Sequence, residues 1–208
     1  MSQLTSELRY FKLAFQEIIK FVENALNKID TKEIEEFIKY LEKTHASGRN
    51  VLVVGVGRSG LVGRAFAMRL VHLGFRAYVL GETITPSVGE GDLVIAISGS
   101  GSTSVVVAAA EAAKKMKATV VAITSYRDSP LAKLSDHVVC IPGRTKTSRV
   151  DDYFARQILG LHEPLAPLGT LFEITSMVFL DSTIAELMKR LNKSEDDLRK
   201  RHANIEVF

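Results

Sequence analysis

Two short tracts carry side chains and backbone suited to holding an anion. Gly55-Val56-Gly57-Arg58-Ser59-Gly60 follows the apolar run VLVV, and Ser98-Gly99-Ser100-Gly101-Ser102-Thr103 follows DLVIAI. Each falls where a strand should end and a helix begin, the position at which unpaired backbone N–H groups and the helix dipole attract phosphate. The second tract places four hydroxyls within six residues, a cup for a single phosphate, because hydroxyls and amides hold phosphate oxygens without a lysine. The first satisfies G-x-G-x-x-G, and Glu82 lies near the spacing at which a dinucleotide-binding fold places its ribose acid. The hydroxyl-rich second turn favours one phosphate over a pyrophosphate. Taken singly, either turn also reads as ordinary turn chemistry.

Positioning both turns requires a particular arrangement of elements. From residue 51 onward, short β-branched runs alternate with helical stretches: Val51-Val54, Arg76-Leu80, Asp92-Ile97, Thr119-Thr124 and His137-Ile141. These runs are apolar on both faces, as central parallel strands covered by helices on both sides must be. The pattern predicts a five-stranded parallel sheet in a three-layer α/β/α sandwich of flavodoxin-like order 2-1-3-4-5. The strands carrying the two turns are then neighbours at the switch point, where ligands bind beyond the carboxyl ends. Helices are expected over Ser59–Leu73, Thr103–Met116, a short stretch from Ser129-Pro130, and Leu171–Leu191, with a last one starting at Ser194.

Two helices precede the sheet. Leu4, Leu8, Phe11, Phe15, Ile18, Val22, Leu26 and Ile29 form an apolar stripe near the heptad repeat, and Asp30-x-x-Glu33 opens a second amphipathic helix. The stripe has two explanations, a cover for the domain or a seat for another subunit. The chain is thus read as one domain: helices over 1–48, a βα core over 49–141, and a long tract with C-terminal helices over 142–208.

Composition agrees with a single soluble domain. The 208 residues are 46% hydrophobic and 25% charged, with a net charge of +3, too small to argue for nucleic acid or membrane. Cys140 is the lone cysteine and no Cys/His pair has zinc spacing, so neither disulfide nor structural metal is expected and the reading is cytoplasmic. The start lacks a signal-peptide layout, and no apolar run approaches the ~20 residues that cross a bilayer.

SGSGST matches the Ser-x-Ser-Gly-x-Thr turn of sugar isomerase (SIS) domains, and TSYRDSPLAKLSD resembles their Thr-x-x-x-x-SPLA-x-x-x-D segment. GVGRSG resembles their opening glycine-serine turn. GFRAYVLGETITPSVGEGD, HEPLAPLGTLFE and RHANIE are further similar to the 6-phospho-3-hexuloisomerases, over about residues 5 to 206. The chain has no room for the CBS pair of arabinose-phosphate isomerases.

The resemblance implies an isomerase moving a carbonyl between carbons 2 and 3 of a phosphorylated hexulose through a cis-enediol, without cofactor or metal. It would serve formaldehyde fixation or ribulose phosphate supply. Such chemistry needs one base and a route for a proton between two oxygens. By resemblance Glu173 is that base, and His202, in a tract with Asn204 and Glu206, is an acid/base partner that relatives often take from another subunit. Phosphate would fall to Ser98, Ser100 and Thr103, the amides of Gly99 and Gly101, and Gly57 and Ser59. Arg58 has three expected uses: phosphate, a sugar hydroxyl, or solvent. His72 competes with His202; Arg156 and Glu163 are candidate hydroxyl binders, and His45, His137 and His162 are unassigned. A homo-oligomer is expected, a tetramer by resemblance, with no nucleic-acid or membrane partner. Alternatives are a non-catalytic sugar-phosphate sensor, an isomerase of another phosphosugar such as arabinose 5-phosphate, and an NAD-dependent dehydrogenase built on the first turn.

Overall fold

The computed structural model describes residues 8–143 and 165–202. Leu4, Arg156, His162, Glu163, Asn204 and Glu206 lie outside the described residues, as does any element within 144–164.

A five-stranded, all-parallel sheet of order β2-β1-β3-β4-β5 forms the centre, as expected. Its strands are β1 (Asn50–Gly55), β2 (Arg76–Val79), β3 (Leu93–Ile97), β4 (Thr119–Thr124) and β5 (His137–Cys140). Alternate residues serve opposite faces. Val51, Val53, Leu93, Ile95, Val121 and Ile123 enter one core with the helices α2 (Thr31–Ala46), α3 (Arg58–Leu73) and α6 (Thr170–Arg190). Leu52, Val54, Val94, Ala96, Val120 and Ala122 enter a second core under α4 (Ser104–Lys115) and α5 (Pro130–Leu134). The three layers follow from strands that are apolar on both sides.

Carboxylates fix the strand starts. Asp92, 6% exposed, accepts the N–H of Asn50 at 2.8 Å through one oxygen and that of Gly89 at 2.9 Å through the other, so the amino ends of β1 and β3 are tied together. Asp136, the last residue of the SPLA-x-x-x-D segment, does the same one step along the sheet. It accepts the N–H of Val120 at 2.8 Å and pairs with Lys114. At the outer edge of β5 Glu33 of α2 takes this role, accepting the N–H of Cys140 at 2.9 Å while pairing with Arg127. This edge is thereby closed against strand addition. The D-x-x-E signal is therefore only half a cap: Asp30 accepts the N–H of Lys32 at 2.8 Å, and Glu33 turns away to the sheet edge.

The leading helix α1 (Arg9–Leu26) buries Ala25 and leaves Tyr10, Phe11, Phe15, Ile19 and Leu26 exposed. Of the stripe, Leu8, Phe11, Phe15 and Leu26 are exposed, Ile18 and Val22 are half-buried and Ile29 is buried, so cover for this domain accounts for part of it. One residue of α1 does reach inward. The Glu17 carboxylate accepts the N–H groups of Leu165 and Ala166 at 3.0 and 3.2 Å, so α1 anchors the segment leading into α6. A final short helix, α7 (Glu195–Lys200), begins with the reciprocal Ser194–Asp197 capping box that its sequence predicts. Among the described residues no helix is long and apolar enough to cross a membrane.

Replacing Asp92 with Ala leaves two N–H groups without their carboxylate. We expect a loss of about 3 kcal/mol, read as a lower urea midpoint at unchanged m-value; an unchanged midpoint would remove this clamp from the account.

Candidate active site

The parallel pairing aligns Gly55 with Ile97, so the chain leaves β1 and β3 at the same level and both glycine-serine turns open side by side. The second turn is held from inside. Ser98 is buried, and its Oγ lies 3.0 Å from Oγ1 of Thr103. That contact explains why Thr103, the residue before α4, makes no side-chain cap to its own helix. Ser100 Oγ accepts from the N–H of Ser102 at 3.3 Å and from its hydroxyl at 3.1 Å, which turns this side chain along the rim. The expectation for the Gly101 amide needs correction. Its N–H donates to the carbonyl of Ser98 at 3.0 Å and closes the turn, so it is already engaged.

The SPLA segment gains a physical meaning here. Gly101 has φ +60, and a Cβ on it would overlap the Ser129 hydroxyl and come within 2.9 Å of Thr124 Oγ1. Its carbonyl accepts the N–H of Leu131 at 2.9 Å. Ser129, which caps α5 through the N–H of Ala132, and Pro130-Leu131 thus form the floor on which the second turn rests. Reasoning from hydroxyl content alone missed Thr124 and Ser129 as supports. The Thr-x-x-x-x-Ser-Pro spacing that marks them was legible, but its reason is a close contact between distant segments.

Glu173 lies in the first turn of α6, directly after Gly169, whose φ of +94 is the left-handed conformation. A Cβ on Gly169 would stand 3.1 Å from Glu173 Oε1, so the glycine lets the carboxylate fold back over the helix start. The Glu173 side chain is 13% exposed and forms an ion pair with Nε of Arg58, which is 61% exposed. Arg58 is the first residue of α3 and belongs to the first turn. Its guanidinium roofs the carboxylate and keeps most of its surface open to solvent. Both line a cavity of about 250 Å³ whose other walls are Leu61, Val62, Ile174, Met177 and Val178. One carboxylate and one guanidinium thus stand in an otherwise apolar recess beside the first glycine-serine turn.

His202 and His72 are brought together, but elsewhere. Their rings lie 4.8 Å apart, at the carboxyl end of α3. Burial, reinforced by the nearby charges of His202 and Arg69, holds the His72 imidazole below its ordinary pKa. Arg58 opens α3 and His72 lies near its end, so at 1.5 Å per residue the two histidines are about 20 Å from Glu173 within one chain. His72, buried on the inner side of α3, is not part of this recess. Glu82, the residue at ribose-acid spacing, pairs with Arg64 at 3.2 Å. Among the described residues no cluster of three or more His, Cys, Asp or Glu side chains has metal-binding geometry.

Comparison with known proteins agrees with this fold. The SIS domain profile matches residues 46–159. A protein of Aeropyrum pernix described only as uncharacterized is 61% identical, covering 99% of this chain and all of its own length. The 3-hexulose-6-phosphate isomerase of Bacillus subtilis is 34% identical, covering 91% of this chain and 96% of its own. A crystal structure from Methanococcus jannaschii, whose inferred function is 3-hexulose-6-phosphate isomerase, superposes with a TM-score of 0.72 at 34% identity, covering 95% of this chain and 99% of that one.

Gly101→Ala combines a left-handed backbone with overlap against Ser129. It should cost about 3 kcal/mol in urea denaturation and abolish phosphate binding by calorimetry. Gly89→Ala, with no atom within 4 Å of the added carbon, should leave both unchanged. Equal behaviour of the two variants would show that the floor contact is not needed.

Proposed function

The chain belongs to the SIS domain family, and on that premise we propose that it interconverts D-arabino-hex-3-ulose 6-phosphate and D-fructose 6-phosphate. Relatives named as isomerases of this substrate class align along nearly the whole chain, which supports isomerase activity. The observation that carries the finer reading is the position of Glu173: a nearly enclosed carboxylate in an apolar recess, next to the first of two adjoining phosphate turns.

In this reading the phosphate rests on Ser59 and Gly57 of the first turn and on Ser98, Gly99, Ser100 and Thr103 of the second. The carbon chain then runs toward Glu173. The Glu173 carboxylate takes the proton from carbon 3 of fructose 6-phosphate. The C–H electron pair becomes the carbon 2–carbon 3 double bond, and the carbonyl π pair moves to oxygen 2. Transfer of the oxygen 3 proton to oxygen 2 and return of the carried proton to carbon 2 complete the hex-3-ulose. All atoms and electrons balance within substrate and carboxylate, so the step draws on no cofactor. The apolar walls formed by Leu61, Val62, Ile174 and Met177 limit water around the enediolate, which protects it from unproductive protonation.

The second part of the proposal concerns His202. It acts as acid/base partner in the recess of another copy within a homo-oligomer, a tetramer by family resemblance. Supporting this are its distance from Glu173 in its own chain and the exposed apolar side chains of α1. The recess itself is flanked by exposed Leu61, Leu168 and Val178, a surface that a second copy would cover.

Glu173→Gln keeps shape and removes the base. Its kcat for fructose 6-phosphate should fall at least 1,000-fold, near the upper part of the range for a general base, while the thermal shift on adding fructose 6-phosphate persists. A folded variant converting at the wild-type rate would exclude Glu173 as base. Mixing inactive Glu173→Gln and His202→Asn chains under exchange should restore activity at about a quarter of the sites, since each mixed pair rebuilds one intact site. If light scattering shows a monomer, or the mixture stays inactive after exchange, His202 does not act across subunits.

A further inference from the structure

Isomerisation through an enediolate moves a negative charge from the base onto two substrate oxygens, and an apolar recess penalises that charge unless a fixed cation meets it. Among the described residues that line the Glu173 cavity one side chain is cationic, Arg58, and none is an imidazole.

Three observations concern what Arg58 does there. Its Nε is the nitrogen paired with Glu173, and Nη1 and Nη2 make no hydrogen bond to any described residue, so most of its five N–H donors remain available. It immediately precedes Ser59 and so projects from the turn that would hold the phosphate, between that turn and the base. It is largely exposed while its partner carboxylate is nearly enclosed, so a ligand entering the recess meets the guanidinium first.

We propose that Arg58 is a catalytic residue of this reaction, the electrophile that stabilises the enediolate, which deepens the isomerase reading given above and rests on it. Before reaction the negative charge sits on Glu173 and Arg58 pairs with it. When Glu173 accepts the carbon-bound proton it becomes neutral, and the charge appears on oxygens 2 and 3. The guanidinium follows the charge over a short distance, donating to those oxygens from Nη1 and Nη2. Arginine does not deprotonate in proteins, so it gives up no proton and the step remains balanced. Pairing with Glu173 in the resting site serves the same end. It keeps the cation at the site, so only a short movement is needed when the charge shifts.

The test uses Arg58→Gln and Arg58→Lys in the full chain, with three readouts: kcat and KM for fructose 6-phosphate, inhibition by inorganic phosphate, and inhibition by a planar hydroxamate analogue carrying the same phosphate. Arg58→Gln should lower kcat about 100-fold to 1,000-fold and weaken the hydroxamate in parallel, with KM and phosphate inhibition moving less than about threefold. Arg58→Lys should recover part of kcat and of hydroxamate affinity. Unchanged kcat with tenfold weaker phosphate inhibition would make Arg58 a phosphate ligand and overturn the proposal. Lowered kcat with unchanged hydroxamate affinity would reduce it to a positioning residue for Glu173 and overturn it as well. Conversion of fructose 6-phosphate to the hex-3-ulose, followed by NMR, separates the two levels of the reading. A wild-type chain that converts nothing removes the isomerase reading and this one together. Conversion that is equally fast in wild type and Arg58→Gln removes this one alone.

Discussion

The shared level at which β1 and β3 end is the constraint on which the site depends. Parallel pairing of Val51 to Gly55 with Leu93 to Ile97 makes both strands release the chain at one height. Asp92 secures the same pair at the other end by accepting the N–H of Asn50. With both ends fixed, the two turns can only open next to each other, and helices α3 and α4 start beside them with their positive ends toward the same crevice. The neighbouring β4 adds Thr124 under the second turn and leads to the Ser129 floor. The anion site is therefore a consequence of sheet order, and its side chains are refinements on a backbone already suited to the task.

Much of this frame was legible because it is local. Strand runs apolar on both faces, glycine-serine breaks and the Gly74 cap of α3 each reveal themselves within a few residues, and the elements follow them closely. The resemblance of SGSGST and SPLA to SIS segments located the turns, and the structure then supplied the reason for their company: position 101 has room only for glycine because Ser129 lies where a side chain would be. What remained illegible was long-range pairing. Arg58 and Glu173 are 115 residues apart, and Glu33 reaches Cys140 across 107, with no periodicity to announce either contact. Glu33 is the clearest case, since its local signal pointed to a helix cap and a sheet-edge N–H claimed the carboxylate instead. A charged group that has begun to be buried takes the partner that satisfies it most fully, and tertiary context decides which that is. The position of His202 relative to Glu173 depends in the same way on how α7 packs against the far end of α3, which no local motif encodes.

The distribution of charge explains how the proposed anion site fits a net charge of only +3. A phosphate cup made of Ser98, Ser100, Thr103 and backbone amides is formally neutral, so it would hold an anion by directed dipoles and leave the local field unsaturated. A lysine in that cup would compete for Glu173 and screen Arg58 from charge appearing elsewhere on the ligand. With the turns neutral, the guanidinium described in the recess answers to the carboxylate beside it, whose side chain is only 13% exposed. The apolar walls lower the polarity on the carboxylate side, while the 61% exposed guanidinium stays in contact with solvent. In the proposed reading a neutral cradle on the second turn, for the fixed charge of the ligand, and a cation on the first, for the charge that moves during reaction, divide the electrostatic work between two neighbouring βα turns. Arg58 and Ser59 are adjacent in sequence, so any shift of α3 moves both together and keeps the guanidinium at a constant separation from the first turn.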